Sequence, residues 1–65
     1  MSKFEGMKLR VVGWMKYRKD EYFTAREIAH HLGTTEGMVT ATCNELASIG
    51  AIDKQDNYYG LPKPK

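Results

Sequence analysis

Cys43 is the only cysteine in the chain, and one thiol cannot close a disulfide within it. A lone thiol fits the reducing cytosol, so a cytoplasmic location is expected. The missing cross-link matters because so short a chain, 65 residues, buries only about 60% of the surface its unfolded form exposes. Proline is confined to Pro62 and Pro64, so no residue before them is barred from a helix or a paired strand by a missing N–H. Long apolar runs are also lacking. The best candidate, Met7 to Met15, is broken by Lys8, Arg10 and Gly13, which suits neither a membrane span nor a secretory signal. No HExxH motif, no Cys/His spacing for zinc and no glycine-rich loop followed by Lys-Ser/Thr is present. His30 and His31 are neighbours, and adjacent helical residues point about 100° apart, which rarely suits one ligand sphere. No His or carboxylate is spaced to activate Cys43. The expectation is a non-enzyme with no cofactor and no metal.

One sign of charge is missing from a long stretch. Between Arg26 and Lys54 there is no Lys or Arg. Residues 1–19 carry Lys3, Lys8, Arg10, Lys16, Arg18 and Lys19 against Glu5 alone. Residues 20–53 carry Arg26 against Asp20, Glu21, Glu27, Glu36, Glu45 and Asp53. Residues 54–65 carry Lys54, Lys63 and Lys65 against Asp56. Both ends are basic and the middle is acidic.

Apolar periodicity organises the rest into one domain over residues 1–65, with loose ends at 1–3 and 62–65. Phe4, Met7, Val11, Trp14 and Met15 recur at helical spacing, predicting an amphipathic helix from about Lys3 to Tyr17, with Gly6 as an alternative start. Gly13 weakens its interior by roughly 1 kcal/mol relative to Ala, and Lys8, Lys16 and Lys19 fall on its other side. Tyr22-Phe23 suits a very short strand or an extended lead-in. Thr24-Ala25-Arg26-Glu27 then reads as a capping box, with Phe23 and Ile28 as its hydrophobic staple. That helix continues through Ala29 and Leu32 to a stop at Gly33. Thr35, or Thr34 beside it, caps a third helix. Its inward positions are Val39, Cys43, Leu46 and Ile49, and Gly50 stops it. Ala51–Gln55 and Tyr58–Leu61 read as two strands around a tight Asp56-Asn57 turn. Ile52, Tyr59 and Leu61 face in, Tyr58 faces out, and Pro62 ends the pairing. Trp14 is either core or dimer packing or a partner-binding hot spot.

Over about residues 5–62 this order resembles the winged helix-turn-helix family. The resemblance is carried by Phe23-Thr24-Ala25-Arg26-Glu27-Ile28-Ala29, Leu32-Gly33, Val39, Asn44-Glu45-Leu46 and Ile49-Gly50-Ala51-Ile52. In size the chain is similar to the small fimbrial regulators of the FaeA and PapI kind. Its segment from Val12-Gly13-Trp14 to Ile28 resembles the CaiF and GrlA regulators. The fold this implies is mainly α with a small β-hairpin: three helices plus a two- or three-stranded wing. The implied function is sequence-specific binding of double-stranded DNA by a bacterial or phage transcription regulator, although the fold also serves proteins that bind only other proteins.

Carried over from the family, the third helix, about residues 35–49, enters the major groove and the wing meets the backbone or minor groove. Thr35, Glu36, Gly37, Thr40, Ala41 and Asn44 form the reading face, with Asn44 on an adenine edge. Arg26, Lys54 and Tyr58 flank it. Phosphate neutralisation supplies much of the affinity of DNA-binding proteins, and this helix has no cation of its own. Charge must then come from Arg26, Lys54, the Lys63/Lys65 tail and the first helix, or from a homodimer that doubles the set. The competing expectation is a protein partner, because a face of Gly37, Thr40 and Ala41 suits close packing. Tyr58 is divided between a plain strand position and a contact to DNA or protein.

Overall fold

The computed structural model describes residues 3–62, and of residues 3–5 the backbone alone. Its elements in chain order are α1 (Lys3–Lys16), β1 (Tyr22–Thr24), α2 (Ala25–Leu32), α3 (Glu36–Ser48), β2 (Asp53–Gln55) and β3 (Tyr58–Gly60). In α1 the residues Met7, Val11 and Met15 recur every four positions and are all buried, so one stripe of the helix is core. Gly13 does not interrupt it, and Lys3 already belongs to the helix, so Gly6 is not its start. The Phe4 side chain, Lys63 and Lys65 lie outside the described residues.

Local chemistry sets both ends of the next two helices. The Thr24 hydroxyl accepts from the Glu27 N–H at 3.2 Å, and the Glu27 carboxylate accepts from the Thr24 N–H at 3.0 Å. This reciprocal cap satisfies two donors that a bare helix start leaves open. Gly33 closes α2 in the left-handed region at φ 67°, and Thr34 N–H donates to the Ala29 carbonyl at 3.0 Å. Thr35, not Thr34, caps α3: its hydroxyl accepts from Met38 N–H at 3.2 Å.

The inward face of α3 differs from expectation at two positions. Val39, Cys43 and Leu46 are buried as predicted, and Thr42 joins them. Its hydroxyl donates to the Met38 carbonyl at 2.8 Å, so no polar group is stranded in the core. Ile49, expected inside, is 69% exposed, whereas Ile52 is 3% exposed. The cause is the helix end. Gly50 N–H donates to the Ala47 carbonyl and Ala51 N–H to the Leu46 carbonyl, with Gly50 at φ 79°. This pair of bonds is a Schellman turn. It swings Ile49 outward and returns the chain to the core at Ile52.

Tyr22–Thr24 makes the sheet three-stranded and antiparallel, in the order β1-β3-β2. The hairpin strands β2 and β3 are shorter than predicted. Residues 51–52 precede the pairing and Leu61 follows it. Gln55 lies opposite Tyr58, so Asp56-Asn57 is a two-residue turn, with Asp56 at φ 56°. The architecture is therefore mixed: three helices and a three-stranded sheet, in a layout compatible with a winged helix. Ile52 and Tyr59 bring the sheet onto the helical core.

One cross-strand row holds the sheet tightly. Tyr22, Gly60 and Asp53 lie side by side, and the Tyr22 hydroxyl donates to the Asp53 carboxylate. That bond raises the Tyr22 pKa, with smaller contributions from burial and from the Asp53 charge. The phenol crosses the space that a side chain at position 60 would fill. A Cβ there would meet the Glu21 carbonyl oxygen at 2.7 Å and the Tyr22 ring at 3.1 Å. Gly60→Ala is expected to destabilise the fold by about 1–3 kcal/mol through overpacking. Gly13→Ala, where nothing lies within 4 Å of the new Cβ, is expected to stabilise α1 by roughly 0.5–1 kcal/mol. Urea unfolding of the two variants checks both signs, and equal midpoints would remove the account of Gly60.

Candidate nucleic-acid interface

With Val39, Thr42, Cys43 and Leu46 committed to the core, helical periodicity leaves Glu36, Gly37, Ala41, Asn44 and Glu45 outside. All five are exposed, and so is the cap Thr35, while Thr40 is half-buried. Thr40 and Glu36 line a groove of about 410 Å³ with Thr24, Arg26, Asn57 and Tyr59. The groove gathers the starts of α2 and α3 and the turn of the hairpin. It brings three of the sequence-predicted site residues together: Arg26, Glu36 and Thr40.

Asn44 sits where α3 meets the sheet. The Lys54 ammonium donates to its side-chain oxygen at 3.2 Å and the Tyr59 hydroxyl at 3.3 Å. Lys54 and Tyr59 are cross-strand partners, so they share one face of the sheet, and the ammonium lies 5.8 Å from the centre of the phenol ring. Burial, then the nearby Cys43, raises the Tyr59 pKa, which keeps its hydroxyl protonated and able to donate. Tyr58 is exposed but points to the opposite face, because side chains alternate along a strand. The structure therefore unites Asn44 with Lys54 and separates both from Tyr58. Sequence reasoning missed Tyr59, Thr24 and Asn57 as site neighbours. A two-residue turn at Asp56-Asn57 already implies that Lys54 faces Tyr59, so that signal was present.

Several cations expected on a free basic face are engaged within the fold. Lys8 pairs with Glu45 at 2.9 Å, so it faces α3 rather than the far side of α1, and Glu45 is neutralised by it. Arg10 donates to the Leu32 carbonyl at the end of α2, where a cation suits the helix dipole. Arg18 lies 4.2 Å above the Trp14 ring and donates to the Trp14 carbonyl at 3.2 Å. Trp14 also packs edge-on to Phe23 at 4.5 Å and against His31 at 5.1 Å, which places it in packing. Arg26 and Lys54 remain beside the outward face of α3, both exposed. Among the described residues no cluster of three or more His, Cys, Asp or Glu is placed to hold a metal. No helix among them is long and apolar enough to cross a membrane.

Cys43 is fully buried, and desolvation pushes its thiol up to about 11 from an ordinary 9.0. The thiolate is the reactive form, so the folded chain is expected to resist a thiol reagent at pH 8 and to react with one equivalent after urea unfolding. Because folding raises this pKa, the thiol's contribution to stability is complete below 9.0 and is lost as pH rises through about 11. Labelling of the folded chain at the unfolded rate would contradict the burial. No protein-family model matches the chain, and its sequence matches no curated protein.

Proposed function

We propose that the chain is a winged helix-turn-helix protein of the cytoplasm that binds double-stranded DNA sequence-specifically and regulates transcription, with no enzymatic activity. The observation that carries this reading is the continuity of the exposed α3 face with the hairpin through Asn44, Lys54 and Tyr59. A helix of 13 residues is about 20 Å long and, with side chains, about 10–12 Å across, which suits a major groove about 12 Å wide. Thr35, Gly37, Thr40, Ala41 and Asn44 then meet base edges or sugar, with Arg26 on a phosphate at one side and Lys54 at the other, between phosphate and base edge. Each neutralised phosphate contributes a salt slope of about −0.9, so Arg26 and Lys54 together contribute roughly −2. A homodimer doubles that slope and presents two reading helices. Leu9, Tyr17 and Ile49 are large apolar side chains left exposed on the single chain.

The engagement of Lys8, Arg10 and Arg18 inside the fold favours a second reading, a protein-interaction module on the same scaffold. A salt titration against mixed genomic DNA separates the two. Binding is expected at low salt and is expected to weaken as salt rises. Arg26→Ala and Lys54→Ala are each expected to reduce the slope by about 0.9. Absence of binding at low salt would favour the protein partner.

A further inference from the structure

The hydrogen-bonding character of the Asn44 carboxamide, on the α3 face, is decided by its surroundings. An ammonium carries three donors and no acceptor. Lys54 therefore dictates which end of the amide faces it: the oxygen, at 3.2 Å. The Tyr59 hydroxyl supplies a second donor to the same oxygen at 3.3 Å. A carbonyl oxygen has two lone pairs, and both are taken. The Asn44 NH₂ has no partner among the described residues, and Asn44 is exposed. The Lys54 ammonium keeps two further donors beside it. Toward solvent this corner of the interface offers donors only.

We propose, resting on the DNA-binding reading above, that Asn44 and Lys54 form a donor-only patch that reads guanine rather than adenine. In the major groove adenine offers an acceptor at N7 and a donor at N6, so pairing with it needs both ends of an asparagine amide. Guanine offers acceptors at both N7 and O6. With the Asn44 oxygen occupied, adenine N6 meets no free lone pair and remains unsatisfied, a loss that buried polar groups feel strongly. Guanine meets the Asn44 NH₂ and the spare Lys54 donors without displacing either bond. Tyr59, buried below the contact, acts as a positioning residue because it touches the base only through Asn44.

Selection of bound duplexes from a randomised pool by the full-length chain tests this. The expected result is an enriched site with guanine at one position whose preference falls about tenfold or more in Asn44→Ala. Asn44 is exposed, so that variant keeps the core intact. In the double variant Lys54→Met/Tyr59→Phe the oxygen is released, and the same position is expected to shift toward adenine. Adenine at that position in the parent, or unchanged guanine preference in the double variant, overturns the proposal while leaving DNA binding standing. An Asn44→Ala effect equal on all duplexes places the patch on phosphate and also overturns it. Failure to enrich any duplex removes the DNA-binding reading and the proposal with it.

Discussion

The buried stripe of α3 is the part of the core on which α1, α2 and the hairpin converge. Val39, Thr42, Cys43 and Leu46 occupy its inner side, Met7, Val11 and Met15 come from α1, Ile28 and Ala29 from α2, and Ile52 and Tyr59 from the hairpin. A fully buried Val, Leu or Ile is worth about 1.5–3 kcal/mol relative to an exposed one. Without a disulfide, these few side chains supply the cohesion. The flanks of α3 are also occupied, by Lys8 on the Glu45 side and by Lys54 and Tyr59 on the Asn44 side. What the helix presents outward is the remainder, a narrow strip from Thr35 to Asn44.

Such flank contacts orient more than they stabilise. Lys8 and Glu45 are partly solvated, with side-chain exposures of 19% and 50%, and exposed pairs contribute only about 0–1 kcal/mol. Their effect on surface charge is larger. Glu45 ceases to repel a polyanion, but Lys8 ceases to attract one. Arg10 and Arg18 likewise serve a helix end and an aromatic ring. The basic N-terminal segment conspicuous in the composition is in this way partly internal wiring: Lys8 and Glu45 offset one another, while Arg10 and Arg18 keep their charge but are held against the fold.

Local signals in the sequence were legible; tertiary ones were not. The capping box at Thr24, the Thr35 cap and the stops at Gly33 and Gly50 follow from residues within one turn of each other, and the structure places each as expected. Helical periodicity alone extends the inward face to Ile49, one residue beyond Ser48, where α3 ends and the turn at Gly50 begins. Thr42 was passed over because its polarity hides that its hydroxyl can return to its own helix. The short hairpin strands reflect the Schellman exit before β2 and the end of pairing at Gly60 in β3. Lys8–Glu45, Arg10–Leu32 and Asn44–Lys54 join residues far apart or on different elements, and no pattern in the chain announces them. The Tyr58 side of the sheet, by contrast, was decided by alternation alone, and its separation from Lys54 follows from the same alternation.

On the DNA-binding reading, scarcity of cations has a consequence for discrimination. Non-specific affinity comes almost entirely from phosphate neutralisation, so a face whose cations among the described residues are Arg26 and Lys54 draws little of it from them. Base contacts are less affected by that scarcity, because each depends on local donors and acceptors rather than on total charge. The ratio of specific to non-specific binding, which governs occupancy among a genome's competing sites, can therefore stay high while absolute affinity stays low. A second copy restores affinity by coupling two half-sites, since the second contact becomes effectively intramolecular. Lys54 has a double part in this arrangement. It lends charge to the interface and, by holding the Asn44 oxygen, fixes the hydrogen-bonding character of the neighbouring amide.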